Sequence, residues 1–376
     1  MKFIKSIVEI LFLKKQSTII RNLGYSIRND GQKRALVSYV VDSYGKKIEE
    51  FRYNTNRIEC LLIIESLIKM GYLVDVLYCN DDIEYGDSYD LIFGFGHAFR
   101  RATKNNPNAK KILYMTEAHP RVSYTYENKR FSDFNIKSVS NFKVERSGTY
   151  YLESDFLVAD SVICLGEKHF EYLTKAYPNK KIEYIYPTGV MPQQDIFSYY
   201  CKEELEINIL WFGSRGVIHK GLDILIDAIQ DLKNIQLHVC GVKEKQLKSY
   251  IKMIPNNVVI HGLVDPKSND FVRIVSKCDY MFLPSASEGV STSAITCMYA
   301  GLIPVITENC GTDFDGNAVI ILEDNLGELS SIISKLTSKK VPRARKKELS
   351  EYALNKFNLN EFSDNFNRKL SLLLGL

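Results

Sequence analysis

The chain has 376 residues, more than one ordinary hydrophobic core accommodates and enough for two. Its 45 % hydrophobic and 25 % charged residues are ordinary for a soluble globular protein, and no apolar run approaches the roughly 18 residues that would span a bilayer. The net charge of +4 gathers at one end, where Lys2, Lys5, Lys14, Lys15, Arg21, Arg28, Lys33 and Arg34 face only Glu9 and Asp30; such an excess argues against a nucleic-acid groove running through the protein and suits an anionic membrane surface.

In chain order, the first pattern is a helical stripe over residues 2–15, with Phe3, Ile4, Ile7, Val8, Leu11 and Phe12 apolar and the lysines on the other face. It reads either as a helix packed on its own domain or as an interfacial membrane helix formed by residues 1–16. No cleavage site follows it, so a cytoplasmic protein with peripheral attachment to the membrane is the expectation. Strands are then expected at Ala35–Val41, Tyr72–Tyr78, Leu91–Phe93, Lys111–Met115 and Ser161–Leu165, with a helix at Ile58–Met70 stopped by Gly71. Continuous apolar strands separated by helices point to a parallel sheet covered on both faces. Residues 120–155, polar, aromatic and basic, read as an extended loop region. The eight cysteines form no C-x-x-C pair and read as reduced and buried.

The pattern breaks at 187–206, where the interdomain linker is placed. A second alternation follows, with strands at Ile207–Phe212, Ile235–Cys240, Val258–Ile260, Tyr280–Leu283 and Ile303–Ile306. Its helices are expected at Gly221–Leu232, Glu244–Ile251, Asn269–Ser276 and Ser291–Tyr299. The domains are therefore drawn as 1–190, on the acceptor side, and 191–355, on the donor side. A C-terminal helix in 356–376 is expected to cross back to the first domain.

Two segments carry chemistry. In Trp211–Ala228 a strand ends, Gly213 permits a tight exit, and Arg215 and Lys220 precede a helix; these cations could neutralise a diphosphate, or be two solvated charges of a loop. In Pro284–Gly301 a strand runs into small residues and a helix whose first turn is Ser291–Ser293. Free N–H groups at that helix start, with its macrodipole, favour an anion. Glu288 precedes them, where a carboxylate could accept from sugar hydroxyls; read without a ligand, Ser291 or Thr292 is a plain N-cap.

In this order and spacing the two segments resemble the donor site of retaining GT-B glycosyltransferases of family 4. Gly213, Arg215, Lys220 and Gly221 match its G-R-x4-K-G pattern. Pro284, Ser285, Glu288 and Gly289 match its P-S-x-x-E-G pattern, and Ala300, Gly301, Pro304 and Val305 match the small residues and P-V pair at its downstream end. Gly262 and Val264 resemble the G-x-V turn that frames the nucleobase; the N-terminal half matches loosely, through Asn54–Glu59 and Gly71–Asp75. The resemblance implies a GT-B fold, two Rossmann-like parallel-sheet domains facing across a cleft. It implies transfer of a sugar, with retention, from a nucleotide-diphosphate sugar to a saccharide or lipid-linked saccharide, as in bacterial surface polysaccharide assembly.

It also implies roles. Arg215 and Lys220 would hold the diphosphate, Glu288 the sugar hydroxyls, and the amides of Gly289, Val290, Ser291 and Thr292 the distal phosphate. The family's second glutamate, which holds the ribose, falls on Thr296 here. A histidine near the anomeric carbon is matched by His119, with Thr116 or Glu117 as neighbours that could take the equivalent point and His97 as the runner-up. No cofactor or metal is expected, since cations and helix dipoles support the leaving group. Gly94-Phe-Gly96 lacks the third glycine of a dinucleotide fingerprint, and Asp81-Asp82 reads as a surface turn. Other readings are a degenerate member that binds nucleotide sugars or a partner without turnover, and another GT-B chemistry such as epimerisation or phosphorolysis.

Overall fold

A computed structural model describes residues 19–24, 31–39, 55–81, 88–192, 196–198, 207–214 and 216–376. The helix expected over 2–15 and Arg215 lie outside these.

Two sheets organise the molecule. Among the described residues the first has seven strands: β1 (Ile20–Leu23), β2 (Arg34–Tyr39), β3 (Leu73–Tyr78), β4 (Leu91–Gly94), β5 (Lys110–Met115), β6 (Ser161–Leu165) and β7 (Lys181–Ile185). Their spatial order is β1-β3-β2-β4-β5-β6-β7, parallel except for β1, which runs antiparallel to β3 at the edge. Strands such as β6 (Ser-Val-Ile-Cys-Leu) are buried at every position because helices cover both faces. Those helices are α1 (Thr55–Lys69), α2 (Gly96–Asn105), α3 (Pro120–Ser138), α4 (Glu153–Val158) and α5 (Glu167–Ala176).

The second sheet is parallel throughout and has six strands. They are β8 (Ile207–Phe212), β9 (Ile235–Cys240), β10 (Val258–Gly262), β11 (Cys278–Leu283), β12 (Ile303–Thr307) and β13 (Val319–Ile321), in the order β10-β9-β8-β11-β12-β13. Around it lie α6 (Leu222–Ile229), α7 (Glu244–Leu247), α8 (Asn269–Val275), α9 (Thr292–Tyr299), α10 (Leu329–Thr337) and α11 (Arg343–Lys356). Capping fixes where helices begin. Ser268 accepts from Phe271 N at 3.2 Å to start α8, and Ser291 from Ala294 N at 3.3 Å to start α9.

The last helix, α12 (Leu359–Leu374), leaves the second sheet and packs on the first. Phe366 meets Phe93 edge-on, ring centroids 5.6 Å apart, Lys369 pairs with Glu183 of β7, and Leu359 touches Ile58 and Leu61 of α1. The seven described cysteines are buried.

The expectation of a loop over 120–155 is corrected: α3 is a 19-residue helix. His119 caps it, Pro120 opens it, and Val139 ends it in a left-handed conformation at φ 50°. Its buried positions are Ser123, Glu127, Arg130, Phe131 and Phe134, a regular helical stripe. Three of the five are polar or charged, so no apolar periodicity announces the helix. The stripe is polar because it faces the second domain. Arg130 Nε and Nη2 donate to Glu323 Oε1 and Oε2 at 2.8 and 3.1 Å, and its Nη1 donates to Pro284 O at 3.0 Å. Ser287 donates to Ser123 at 3.1 Å, Lys137 pairs with Asp227, and Phe131 and Phe134 pack with Ile218.

Candidate active site

Parallel α/β sheets bind ligands beyond the C-terminal ends of their strands, and there the second sheet exposes backbone rather than side chains. Gly213, Gly241 and Gly262 follow or end β8, β9 and β10. A Cβ on Gly241 would lie 1.7 Å from Gly213 O, and one on Gly213 would lie 2.5 Å from the Trp211 ring. Gly241 N donates to Gly262 O at 2.7 Å, closing the ledge, and Val264 is half-buried beside it. Gly241, unnoticed in the sequence, completes the row formed by Gly213 and Gly262.

Beside this ledge Lys220 and Glu288 meet. Gly221, at φ 64°, brings the loop so close to β11 that a Cβ would stand 2.2 Å from Pro284 O. Lys220 Nζ donates to Glu288 Oε1, as does Ser285 Oγ at 3.2 Å. Both Lys220 and Glu288 are buried. Burial pushes the Glu288 carboxyl up, but the charges of Lys220 and Arg146 outweigh it and hold it down at about 2. Glu288 O accepts from His169 Nε2 at 2.8 Å, which fixes the turn from below.

The next residue explains why the turn needs glycine. A Cβ on Gly289 would sit 2.2 Å from Thr116 O, so the turn of the second domain lies directly on the β5–α3 turn of the first. Val290 is buried; Ser291 caps α9 and shares a 2.9 Å bond with Ser293; Thr292 begins the helix.

Thr296 lies in the second turn of α9, 2 % exposed. Its hydroxyl accepts from Val190 N at 2.9 Å and donates to Thr292 O at 2.8 Å. It therefore ties the linker to the helix. Gly189 fits the same place closely, since a Cβ there would lie 2.8 Å from Thr296 N.

A cavity of about 210 Å³ lies where the domains meet, lined by Glu117, Ser123, Arg146, His219, Ser287 and Glu288 among others. His119 does not line it. Its Nε2 is 2.9 Å from Tyr177 Oη, its Nδ1 accepts from Arg121 N at 3.2 Å, and its ring packs on Phe156 and Tyr172. It is a helix cap in an aromatic pocket, and Glu117, two residues earlier, occupies the cavity wall. His97 is exposed on α2. Glu59, at the end of the loosely matched N-terminal segment, lies in the first domain's core, where burial raises its carboxyl to about 8.

The surroundings of His119 make a testable prediction. Burial lowers its pKa from 6.5 to about 4. The unfolded chain thus binds the proton first, so stability present above pH 6.5 should drain away as the pH falls towards 4. His119→Gln should flatten that part of the stability–pH curve while nucleotide binding persists. A variant with the wild-type slope would refute the assignment.

Known proteins are similar to this chain in sequence and in fold. Residues 206–339 match the family described as Glycosyl transferases group 1. An uncharacterised glycosyltransferase of Methanocaldococcus jannaschii is 28 % identical over 196 residues, 50 % of this chain and 53 % of the relative, so the match spans about half of that protein. Among solved structures, sucrose-phosphate synthase of Thermosynechococcus elongatus superposes with a TM-score of 0.63 at 14 % identity, covering 92 % of this chain and 99 % of the other. The fold is GT-B. WaaG, a glycosyltransferase involved in lipopolysaccharide biosynthesis, shares this GT-B architecture with a TM-score of 0.54 at 15 % identity, over 91 % of this chain and 100 % of its own. In GT-B terms the glycine ledge and the Lys220–Glu288 pair belong to the second domain, and Glu117 and Arg146 reach them from the first. Among the described residues no group of His, Cys, Asp and Glu could hold a metal ion, and no helix is long and apolar enough to cross a membrane.

Proposed function

We propose that this protein transfers a sugar, with retention, from a nucleotide-diphosphate sugar to a saccharide or lipid-linked saccharide. The observation that carries the reading is the buried Lys220–Glu288 pair beside the glycine ledge. The ledge would receive the flat base, Lys220 with Arg215 the diphosphate, and Glu288 the sugar hydroxyls. The amides of Gly289 to Thr292 would take the distal phosphate at the start of α9. No step needs a metal, because the cations and helix start supply the charge that departing phosphate requires. A role in surface polysaccharide synthesis, at the membrane through residues 1–16, is consistent with the kinship of fold to WaaG.

A second reading, a binding protein without turnover, draws on Thr296, which stands where the resemblance expects a glutamate and whose hydroxyl is engaged by Val190 N and Thr292 O. One experiment separates the two. The purified chain is warmed with UDP-, GDP- and ADP-sugars in EDTA, and products are followed by NMR with a saccharide acceptor. Under the first reading one donor raises the melting temperature and yields a glycoside of unchanged anomeric configuration. At a hundredfold excess over its Kd the ligand adds about 2.7 kcal/mol of stability. Stabilisation with neither transfer nor hydrolysis would leave the binding protein; an inverted product would end the retaining assignment.

A further inference from the structure

Arg146 belongs to a loop of the first domain, yet its guanidinium reaches into the second. Its Nη1 is 3.8 Å from Glu288 Oε1, the same oxygen that Lys220 holds, and its Nη2 is 2.6 Å from Glu117 Oε1. Two cations from two domains thus converge on one carboxylate oxygen. The side chain is held charged. Burial works against the charge, but the carboxylates of Glu117 and Glu288 more than restore it, raising the arginine above its ordinary value.

The loop carrying Arg146 is not loose. Glu127, fully buried on α3, accepts from the amides of Glu145, Arg146 and Ser147 at 3.3, 3.1 and 2.7 Å, and from Ser147 Oγ. The same carboxylate lies 3.2 Å from Nδ1 of His219, the residue immediately before Lys220. Burial raises its pKa, but bonds from His219 and Ser147 prevail and hold it at about 2. One buried charge therefore seats both cation-bearing loops. For stability alone a hydrophobic replacement of similar shape serves as well as a buried charge; what Glu127 supplies is position.

We propose that Arg146 is a third cation for the donor's diphosphate, delivered across the cleft by the first domain, with Glu127 as the positioning residue that keeps it in register with Lys220. This rests on reading the cleft as a nucleotide-sugar site. In the closed cleft Glu117 and Glu288 compensate Arg146. A diphosphate beside Lys220 presents denser negative charge in a geometry the planar guanidinium fork matches, and Glu288 is freed towards the sugar.

The test is titration calorimetry with UDP, GDP and ADP and their monophosphates on wild type, Arg146→Ala, Arg146→Lys and Glu127→Gln. Wild type is expected to bind one diphosphate well above its monophosphate. Arg146→Ala should lose roughly ten- to a hundredfold in diphosphate affinity and little for the monophosphate, which also shows that the variant is folded. Arg146→Lys should fall between. Glu127→Gln should reduce the diphosphate-to-monophosphate ratio in the same sense, which general destabilisation would not do. An unchanged ratio in Arg146→Ala, or equal losses for both ligands, overturns the proposal while leaving the donor site standing. A wild type that binds none of the three diphosphates overturns the reading of the cleft itself.

Discussion

Replacing Arg130 by methionine is expected to lower the unfolding free energy by about 3–5 kcal/mol, the usual cost of removing one member of a buried ion pair. The guanidinium and its partner Glu323 are almost wholly buried, and all three arginine hydrogen bonds cross from α3 to the second domain. Without Arg130, Glu323 keeps its charge in a place prepared for a pair, and Pro284 O loses its donor at the start of the turn that carries Glu288. Urea unfolding followed through Trp211, the single tryptophan and a buried one, reads the effect in the second domain. The double replacement Arg130→Met with Glu323→Leu should recover most of the loss, because the stranded charge is gone. If Arg130→Met costs under about 1 kcal/mol, the pair is hydrated in solution and the domains stand apart there.

Lys220→Met should have the largest effect on donor binding. It removes a charge-assisted contact of about 1.5–3 kcal/mol, roughly ten- to a hundredfold in affinity for a nucleotide diphosphate. It also acts on Glu288, which retains Ser285 at 3.2 Å and the more distant Arg146 at 3.8 Å. The native carboxyl titrates at about 2 against an ordinary 4.5. Its ionised form therefore contributes on the order of 3 kcal/mol that is complete above pH 4.5 and vanishes as the pH falls through 2. With Lys220 gone the native pKa rises, so stability should begin to fall at a higher pH. Acid titrations of both proteins, with Lys220→Met/Glu288→Gln as the control lacking the carboxyl, check this. An identical acid limb in wild type and Lys220→Met would mean that the two side chains are uncoupled.

The second domain is readable from the sequence because its strands are buried on both faces. Ile207–Phe212 is apolar but for Asn208, Ile235–Cys240 sets Gln236 and His238 between apolar residues, a glycine follows each, and both strands begin and end where expected. Strands β1, β7 and β13 escape such a reading: each lies at a sheet edge and is only partly covered, β1 and β7 mix polar with apolar residues, and β13 is only three residues long. The interface fails to announce itself for another reason. Helix α3 buries charged side chains against the other domain, and Arg130 alone reaches residues 154 and 193 positions away, contacts that no local pattern records. The same distance hides Arg146 among the site residues. His119 draws attention as a histidine after a strand, while the chain turns so that it caps a helix and Glu117 faces the cleft.

Helix α12 has a consequence for how the protein is made. The first domain is assembled from residues at both ends of the chain, whereas the second is a continuous stretch. Phe362, Phe366, Leu370 and Leu373 are buried by α12, and at about 1.5–3 kcal/mol for each such side chain they supply a stabilisation comparable to the whole 5–15 kcal/mol of a typical domain. During synthesis the first domain lacks this helix until the second has been made, so its folding completes only after the second domain's residues are available.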